Sequence, residues 1–257
     1  MSSILFEIQN NVAVITLNRP DKFNVFNREM ALLFQQMLDD CKSSEVRAVY
    51  ITGAGKAFCA GQDLAEVVDP NGPGMNRILS EHFNPLVKKI TSLPKPIVAA
   101  VNGVAAGAGA NLALCCDIVV AAESASFIQA FSKIGLIPDS GGTFFLPRLI
   151  GWQKASALML LGDKIGAAEA ERLGMIYKVF SDEQFAGESR QLANTLAAMP
   201  TIGLALTKKA LSWSITHTLD EQLMNEDKLQ QRAAATTDFK EGVKAFIEKR
   251  KPEFTGK

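Results

Sequence analysis

From Ile4 to Ala121 the chain switches repeatedly between two hydrophobic periods, and this switching restricts the fold more than any other feature. The β-branched runs Ile4–Gln9 and Val12–Leu17 flank Asn10-Asn11, the pattern of a hairpin. Asn27 stands as a helix N-cap before Met30, Leu33, Phe34, Met37, Leu38 and Cys41, which recur at threes and fours as on one helical face. Arg47–Thr52 predicts a third strand. A glycine-punctuated loop, Gly53–Gly61, leads into a helix ending near Thr91, then a strand at Ile97–Val101, a small-residue turn, a short helix from Gly107 to Cys115 and a strand at Asp117–Ala121. Strands alternating with helices specify β/α units, so the fold class is α/β.

Beyond Gly141 the pattern is almost wholly helical. Helices are predicted at Trp152–Leu161, Ala167–Leu173, Glu183–Ala198, Thr201–Trp213, Leu219–Ala235 and Phe239–Lys249, with one strand at Tyr177–Phe180. No fixed-period repeat or Gly/Ser/Pro linker interrupts the chain, so the tail is expected to pack on the core or on a neighbouring subunit. The apolar faces of the C-terminal helices exceed what one β/α layer covers, which points to oligomerisation. The division falls at a core of residues 1–198 and a helical oligomerisation region of residues 199–257.

Charge sets the partners. The 257 residues carry 27 Lys plus Arg against 27 Asp plus Glu, a net charge of zero. Nucleic-acid or membrane-surface binding by overall field needs a large cationic excess, so neither partner is expected and any anion must be held locally. Four cysteines without a Cys-x-x-Cys, and two histidines, make neither a disulfide framework nor a metal site. The N-terminus lacks a signal-peptide pattern, runs such as Ile97–Val101 are far too short to span a bilayer, and the C-terminus is not Ser-Lys-Leu. A cytoplasmic protein is expected.

Chemistry concentrates in Ile97–Pro147, 51 residues with only four charged side chains, Asp117, Glu123, Lys133 and Asp139. Small residues crowd Gly103–Ala110, where a strand turns into a helix and exposes free amides. Such a turn suits an anion or an oxyanion, and equally suits close helix packing. A dinucleotide fingerprint fails because Leu112 stands where the third glycine belongs. Gly53-Ala-Gly55-Lys56 lacks the spacing of a phosphate loop. Asp139-Ser140-Gly141-Gly142 looks like a serine-protease segment, yet that chemistry needs a histidine base in an all-β fold, and His82 and His217 fall in predicted helices. Cys59 between Phe58 and Ala60 reads as a small core residue. Asp139 remains, bracketed by Leu-Ile-Pro and Ser-Gly-Gly. Desolvation there raises a carboxyl towards proton transfer, while the same position serves a helix Gly141–Ile150 as N-cap, and the residues alone leave both roles open.

Phe58-Cys-Ala-Gly61-Gln-Asp63-Leu, Val101-Asn-Gly103-Val-Ala-Ala-Gly107-Ala-Gly109, Cys116-Asp117-Ile-Val-Val and Ile134-Gly-Leu-Ile-Pro-Asp139-Ser-Gly-Gly together resemble the crotonase (enoyl-CoA hydratase/isomerase) superfamily. The resemblance extends from Leu17-Asn-Arg-Pro-Asp-Lys-Phe-Asn24 to the final helix. It implies a spiral of β/α turns followed by a helical trimerisation region, a homotrimer or dimer of trimers, and acyl-CoA substrates in which CoA is part of the substrate and no separate cofactor is needed. It also implies an oxyanion hole from the amides of Gln62 and Ala108, the latter replacing a commoner glycine. For CoA it implies contacts from Lys22, Ala60, Asp63, Leu64, Ala65 and Gly109, with Arg19 and the basic Lys249-Arg250-Lys251 as further phosphate contacts.

The hydratases of that superfamily use two glutamates, and the matching positions here hold Asn111 and Phe131, neither able to act as acid or base. Asp139 is then the one catalytic carboxylate, which suits a proton shift better than water addition. Gly103–Ala110, Ala130–Asp139 and Glu241–Lys257 further resemble the 1,2-epoxyphenylacetyl-CoA isomerases of phenylacetate degradation, which convert a ring epoxide to oxepin-CoA and shift Δ3 to Δ2 enoyl-CoA. Phe131, Phe144 and Phe145 are candidates to line a pocket for the ring. A general Δ3,Δ2-enoyl-CoA isomerase of β-oxidation and a non-catalytic CoA-binding subunit are the alternatives.

Overall fold

A computed structural model describes residues 2–257. Among them, ten strands form two sheets. The first runs in the order β1 (Ile4–Gln9), β2 (Val12–Leu17), β3 (Ala48–Gly53), β5 (Ile97–Val101), β7 (Ile118–Ala122) and β10 (Lys178–Phe180). The second has the order β4 (Ala57–Cys59), β6 (Val104–Ala106), β8 (Ser126–Ile128) and β9 (Lys164–Gly166). Only the outer pairs β1/β2 and β8/β9 are antiparallel. The helices are α1 (Arg28–Asp40), α2 (Leu64–Val68), α3 (Gly74–Arg77), α4 (Asn84–Ser92), α5 (Ala108–Leu114), α6 (Gly142–Ile150), α7 (Trp152–Leu161), α8 (Ala167–Arg172), α9 (Asp182–Ala197), α10 (Thr201–Ser214), α11 (Leu219–Ala234) and α12 (Thr237–Ile247).

The order explains the spiral. Each turn lays one strand in the first sheet, turns sharply, lays a short strand in the second and returns through helix, as in β3–β4, β5–β6 and β7–β8. Asn10 and Asn11, at φ 52° and 60°, supply the left-handed pair that a two-residue hairpin turn requires. The Asn27 side chain accepts the Met30 amide at 3.0 Å and starts α1. Every residue of β5 is buried, as expected for a parallel strand covered on both faces. α9 lies across β2, β3, β5 and β7, and its Ser189 hydroxyl meets the Tyr50 hydroxyl at 2.9 Å.

Three expectations need correction. A second sheet exists that the sequence pattern did not predict, because strands of three residues carry no measurable period. The helix expected up to Thr91 is broken into α2, α3, a π-helical turn Ile78–Phe83 and α4. His217 lies in the turn between α10 and α11 rather than in a helix.

The first residues past the core, Met199 and Pro200, lead into α10, which packs chiefly on α11. Two cations fasten this region to the spiral. Lys208 pairs with Asp117 at 2.8 Å and also donates to the Ile90 carbonyl. Arg47 donates to Thr201, Met199 and Phe254 at 2.8–3.0 Å.

Candidate active site

A cavity of about 500 Å³ opens between the 60–64 loop with α2, the Gly107-Ala108 turn, and the stretch 130–139. Its lining includes Lys22, Ala60, Gln62, Asp63, Leu64, Ala108 and Asp139, residues far apart in the chain that the sequence had singled out. Ala65 and Gly109 lie outside the lining. The Ala65 amide donates to Asp63 Oδ1 at 3.2 Å, and Gly109 is pressed on the Cys59 backbone, where an added Cβ would stand 2.3 Å from the carbonyl oxygen. Both therefore support the walls instead of facing the cavity.

The 60–63 loop is held by a single parallel bridge to Phe26. The Phe26 amide donates to the Gly61 carbonyl at 2.7 Å and the Asp63 amide to the Phe26 carbonyl at 2.8 Å. A parallel bridge uses the peptide groups on either side of its central residue, so the N–H of Gln62 itself turns to the opposite side. Ala108 opens α5, so its amide has no acceptor one turn back along the chain. The two segments meet closely. A Cβ at Gly61, whose φ is +98°, would lie 3.2 Å from the Ala106 oxygen and 3.4 Å from the Ala108 nitrogen. Only glycine leaves that space open.

Two carboxyls face the cavity, and their surroundings differ. Burial alone would raise Asp63, but hydrogen bonds from Arg19 at 2.9 Å and from the Ala65 amide, with Lys22 at 3.6 Å, outweigh it and hold the carboxyl below the usual range. Arg19 is thereby committed, and it also donates to the Val25 carbonyl. Asp139 faces no cation. Burial pushes its carboxyl above the usual range, with the Ser140 hydroxyl at 2.9 Å and the residue's own backbone amide acting in the other direction. It does not cap α6: the N-cap is Gly141, and Asp139 contributes only its backbone carbonyl to the Gly142 amide at 2.8 Å. Of the two roles left open by the sequence, the side chain therefore does not serve the capping one.

Of the aromatic candidates, Phe131 lines the cavity, while Phe144 and Phe145 pack edge-to-face outside it. Arg148 lies 3.9 Å above the Phe144 ring. Cys59 is fully buried and its thiol is pushed up to about 12 by that burial, which removes it as a nucleophile. At the basic C-terminal stretch, Arg250 is paired with Glu241 and Glu248 at 2.6 and 2.7 Å. Among the described residues no cluster of three His, Cys, Asp or Glu side chains converges as a metal would require.

Val67, Met75, Ile78 and Lys133 also line the cavity, though no motif marked them. Lys133 carried a signal, being one of four charges in a 51-residue stretch. The apolar three carried none, because only the folding of α2 and α3 against the π-helical turn brings them to one wall.

Residues 7–257 match the enoyl-CoA hydratase/isomerase family. The chain is 48% identical to the 1,2-epoxyphenylacetyl-CoA isomerase of Escherichia coli, with all of both chains covered. It is 36% identical to the trans-2-decenoyl-[acyl-carrier-protein] isomerase of Streptococcus mutans, covering 99% of this chain and 98% of that one. The crystal structure of the enoyl-CoA hydratase of Bacillus anthracis superposes with a TM-score of 0.93 at 33% identity, over 99% of this chain and 100% of that one. With its two-sheet spiral, its helical tail and a family match over nearly its whole length, the chain belongs to the enoyl-CoA hydratase/isomerase (crotonase) family.

Proposed function

We propose that the chain is an acyl-CoA isomerase that converts ring-1,2-epoxyphenylacetyl-CoA to oxepin-CoA and also shifts Δ3 to Δ2 enoyl-CoA. The observation that carries this reading is the contrast between the cavity's carboxyls. Asp63 is ionised and neutralised by cations, whereas Asp139 is desolvated and free of them. Environments that separate two carboxyls in this way assign one to structure and the other to proton transfer.

In this mechanism the thioester oxygen accepts from the amides of Gln62 and Ala108, which stabilise the enolate. Asp139 takes the proton from the carbon next to the thioester. The electron pair delocalises into the neighbouring C=C, and Asp139 returns the proton to the distant carbon, so no atom is gained or lost. For the aromatic substrate, valence opening of the epoxide to an oxepin precedes the same shift. Water addition needs a second group to activate water, and Asn111 and Phe131 offer none. Lys22, Ala60, Asp63 and Leu64 are the CoA contacts in this reading, with Ala65 and Gly109 bracing them.

The same reading carries a homotrimer or dimer of trimers formed through residues 199–257, where Leu211, Trp213, Ile215, Leu223, Phe246 and Ile247 are exposed. Sedimentation velocity checks it; a monomer at micromolar concentration overturns it.

The test of activity is turnover of epoxyphenylacetyl-CoA beside 3-enoyl-CoA esters and crotonyl-CoA. Turnover of the first two with slow crotonyl-CoA hydration is expected. Fast hydration contradicts the reading, a strong preference for long acyl chains favours a β-oxidation isomerase, and binding without any turnover favours a CoA-binding subunit.

A further inference from the structure

Asn111 occupies the place of a hydratase glutamate, yet both ends of its side chain are spent inside the protein. It is fully buried on α5. Its Nδ2 donates to the Asp139 backbone carbonyl at 2.8 Å, and its Oδ1 accepts Nε2 of buried Gln129 at 2.8 Å. Room for it exists only because residue 142 is glycine, since a Cβ there would lie 2.3 Å from Nδ2. The segment so fastened is strained. Ser140 and Gly141 are successive left-handed residues at φ 51° and 76°, and a serine holds that conformation only when its surroundings impose it. The Asp139 carbonyl receives two donors, Asn111 Nδ2 and the Gly142 amide. The carboxyl receives one from a side chain. Ser140, 2% exposed, donates its hydroxyl to Oδ1, and among the described residues no side chain donates to Oδ2.

We propose that Asn111 and Ser140 are positioning residues for Asp139, Asn111 by pinning its backbone through the Gln129 amide, and Ser140 by occupying Oδ1 so that Oδ2 carries the substrate proton. This rests on Asp139 as the proton carrier. The groups around the turn leave Ser140 as the one side chain that acts on the carboxyl. Asn111 comes from α5, while Val87 of α4 and Phe145 of α6 are apolar neighbours of Gly141. The cavity's other charged groups are Lys22 and Asp63, which sit 3.6 Å from one another, and Lys133. None of these charges acts on Asp139, where burial acts upwards, and the Ser140 hydroxyl and the residue's own backbone amide downwards.

The experiment compares Asn111→Ala, Ser140→Ala and Asp139→Asn by steady-state isomerisation of a 3-enoyl-CoA across pH. Asn111→Ala is expected to lower kcat by about 100-fold through misplacement alone, with KM within about threefold and the acid limb unmoved. Ser140→Ala is expected to move the acid limb to higher pH while the plateau kcat stays within about tenfold, because a hydrogen bond to the ionised form is lost. Wild-type kcat in Asn111→Ala, or an unmoved limb in Ser140→Ala, overturns the proposal; so does a joint loss of kcat, KM and thermal stability in Asn111→Ala. Should that variant not fold, Gln129→Met releases Asn111 from its other side, and an unchanged kcat there overturns the proposal equally. An active Asp139→Asn removes the underlying reading instead, whereas an inactive one beside unaffected Asn111→Ala and Ser140→Ala variants overturns only this inference.

Discussion

Asp63 and Asp139 share a cavity, and the difference between their two walls shows what a carboxyl needs in order to carry a proton. The Asp63 wall is electrostatically closed: Arg19, Lys22 and the start of α2 satisfy the carboxylate and keep it ionised. The Asp139 wall is nearly free of charge, and among the described residues one serine hydroxyl is the carboxyl's only side-chain partner. The first arrangement holds a loop in place. The second leaves a group that gains from taking up a proton and can return it.

The comparison breaks most sharply at Asp139→Asn. Isomerisation and α-proton exchange in deuterated water should fall by about 10²–10⁴-fold with CoA-ester binding retained, as read by NMR exchange and calorimetry. Asp63→Asn should leave exchange measurable and instead cost about 1–3 kcal/mol of stability by stranding Arg19, seen in denaturant unfolding. Next in size is Gly61→Ala, where the new Cβ faces the Ala106 oxygen and the Ala108 nitrogen. Losing one amide of the proposed oxyanion hole should lower kcat by about 10²–10³-fold, and a stopped-flow assay that finds wild-type turnover breaks the assignment of that hole.

Acid separates the walls by sign. Asp139 is raised above its ordinary 3.8, so activity should fall first as the pH drops through its titration; its ionisation opposes folding, and that opposition disappears over the same range. Asp63 is lowered, so the stability it contributes is present above 3.8 and lost only as the pH falls through its depressed value. A pH series of kcat/KM beside thermal melts should therefore show activity failing at a higher pH than the Asp63 contribution to stability. The smallest effect belongs to Lys22→Ala on the exposed rim. KM for CoA esters should rise only a few-fold, an exposed ion contact contributing about 0.2–1 kcal/mol, and the rise should shrink in high salt.

Much of the first sheet was legible in the chain. The β1/β2 hairpin, the Asn27 cap and the fully apolar β5 follow from turn chemistry and from burial on both faces. The second sheet was not, since β4, β6, β8 and β9 are three residues long and their pairing is set by the strands that precede them. In the site, Gln62, Ala108 and Asp139 stood in recognisable motifs. Ser140 stood beside them without a visible role, and Gln129 gave no sign at all, because a buried amide acquires meaning only from the partner it reaches across 18 residues.

By itself the sequence determined the α/β class, the family and the absence of a glutamate pair, because these depend on residue identity, order and spacing. Tertiary structure decided which carboxyl of the cavity is neutralised and which is desolvated, and that Asn111 is spent on the backbone of Asp139. Those properties depend on distances between segments far apart in the chain, and the energy of a charge or a hydrogen bond depends on such distances and on the exclusion of water, neither of which is written in local sequence.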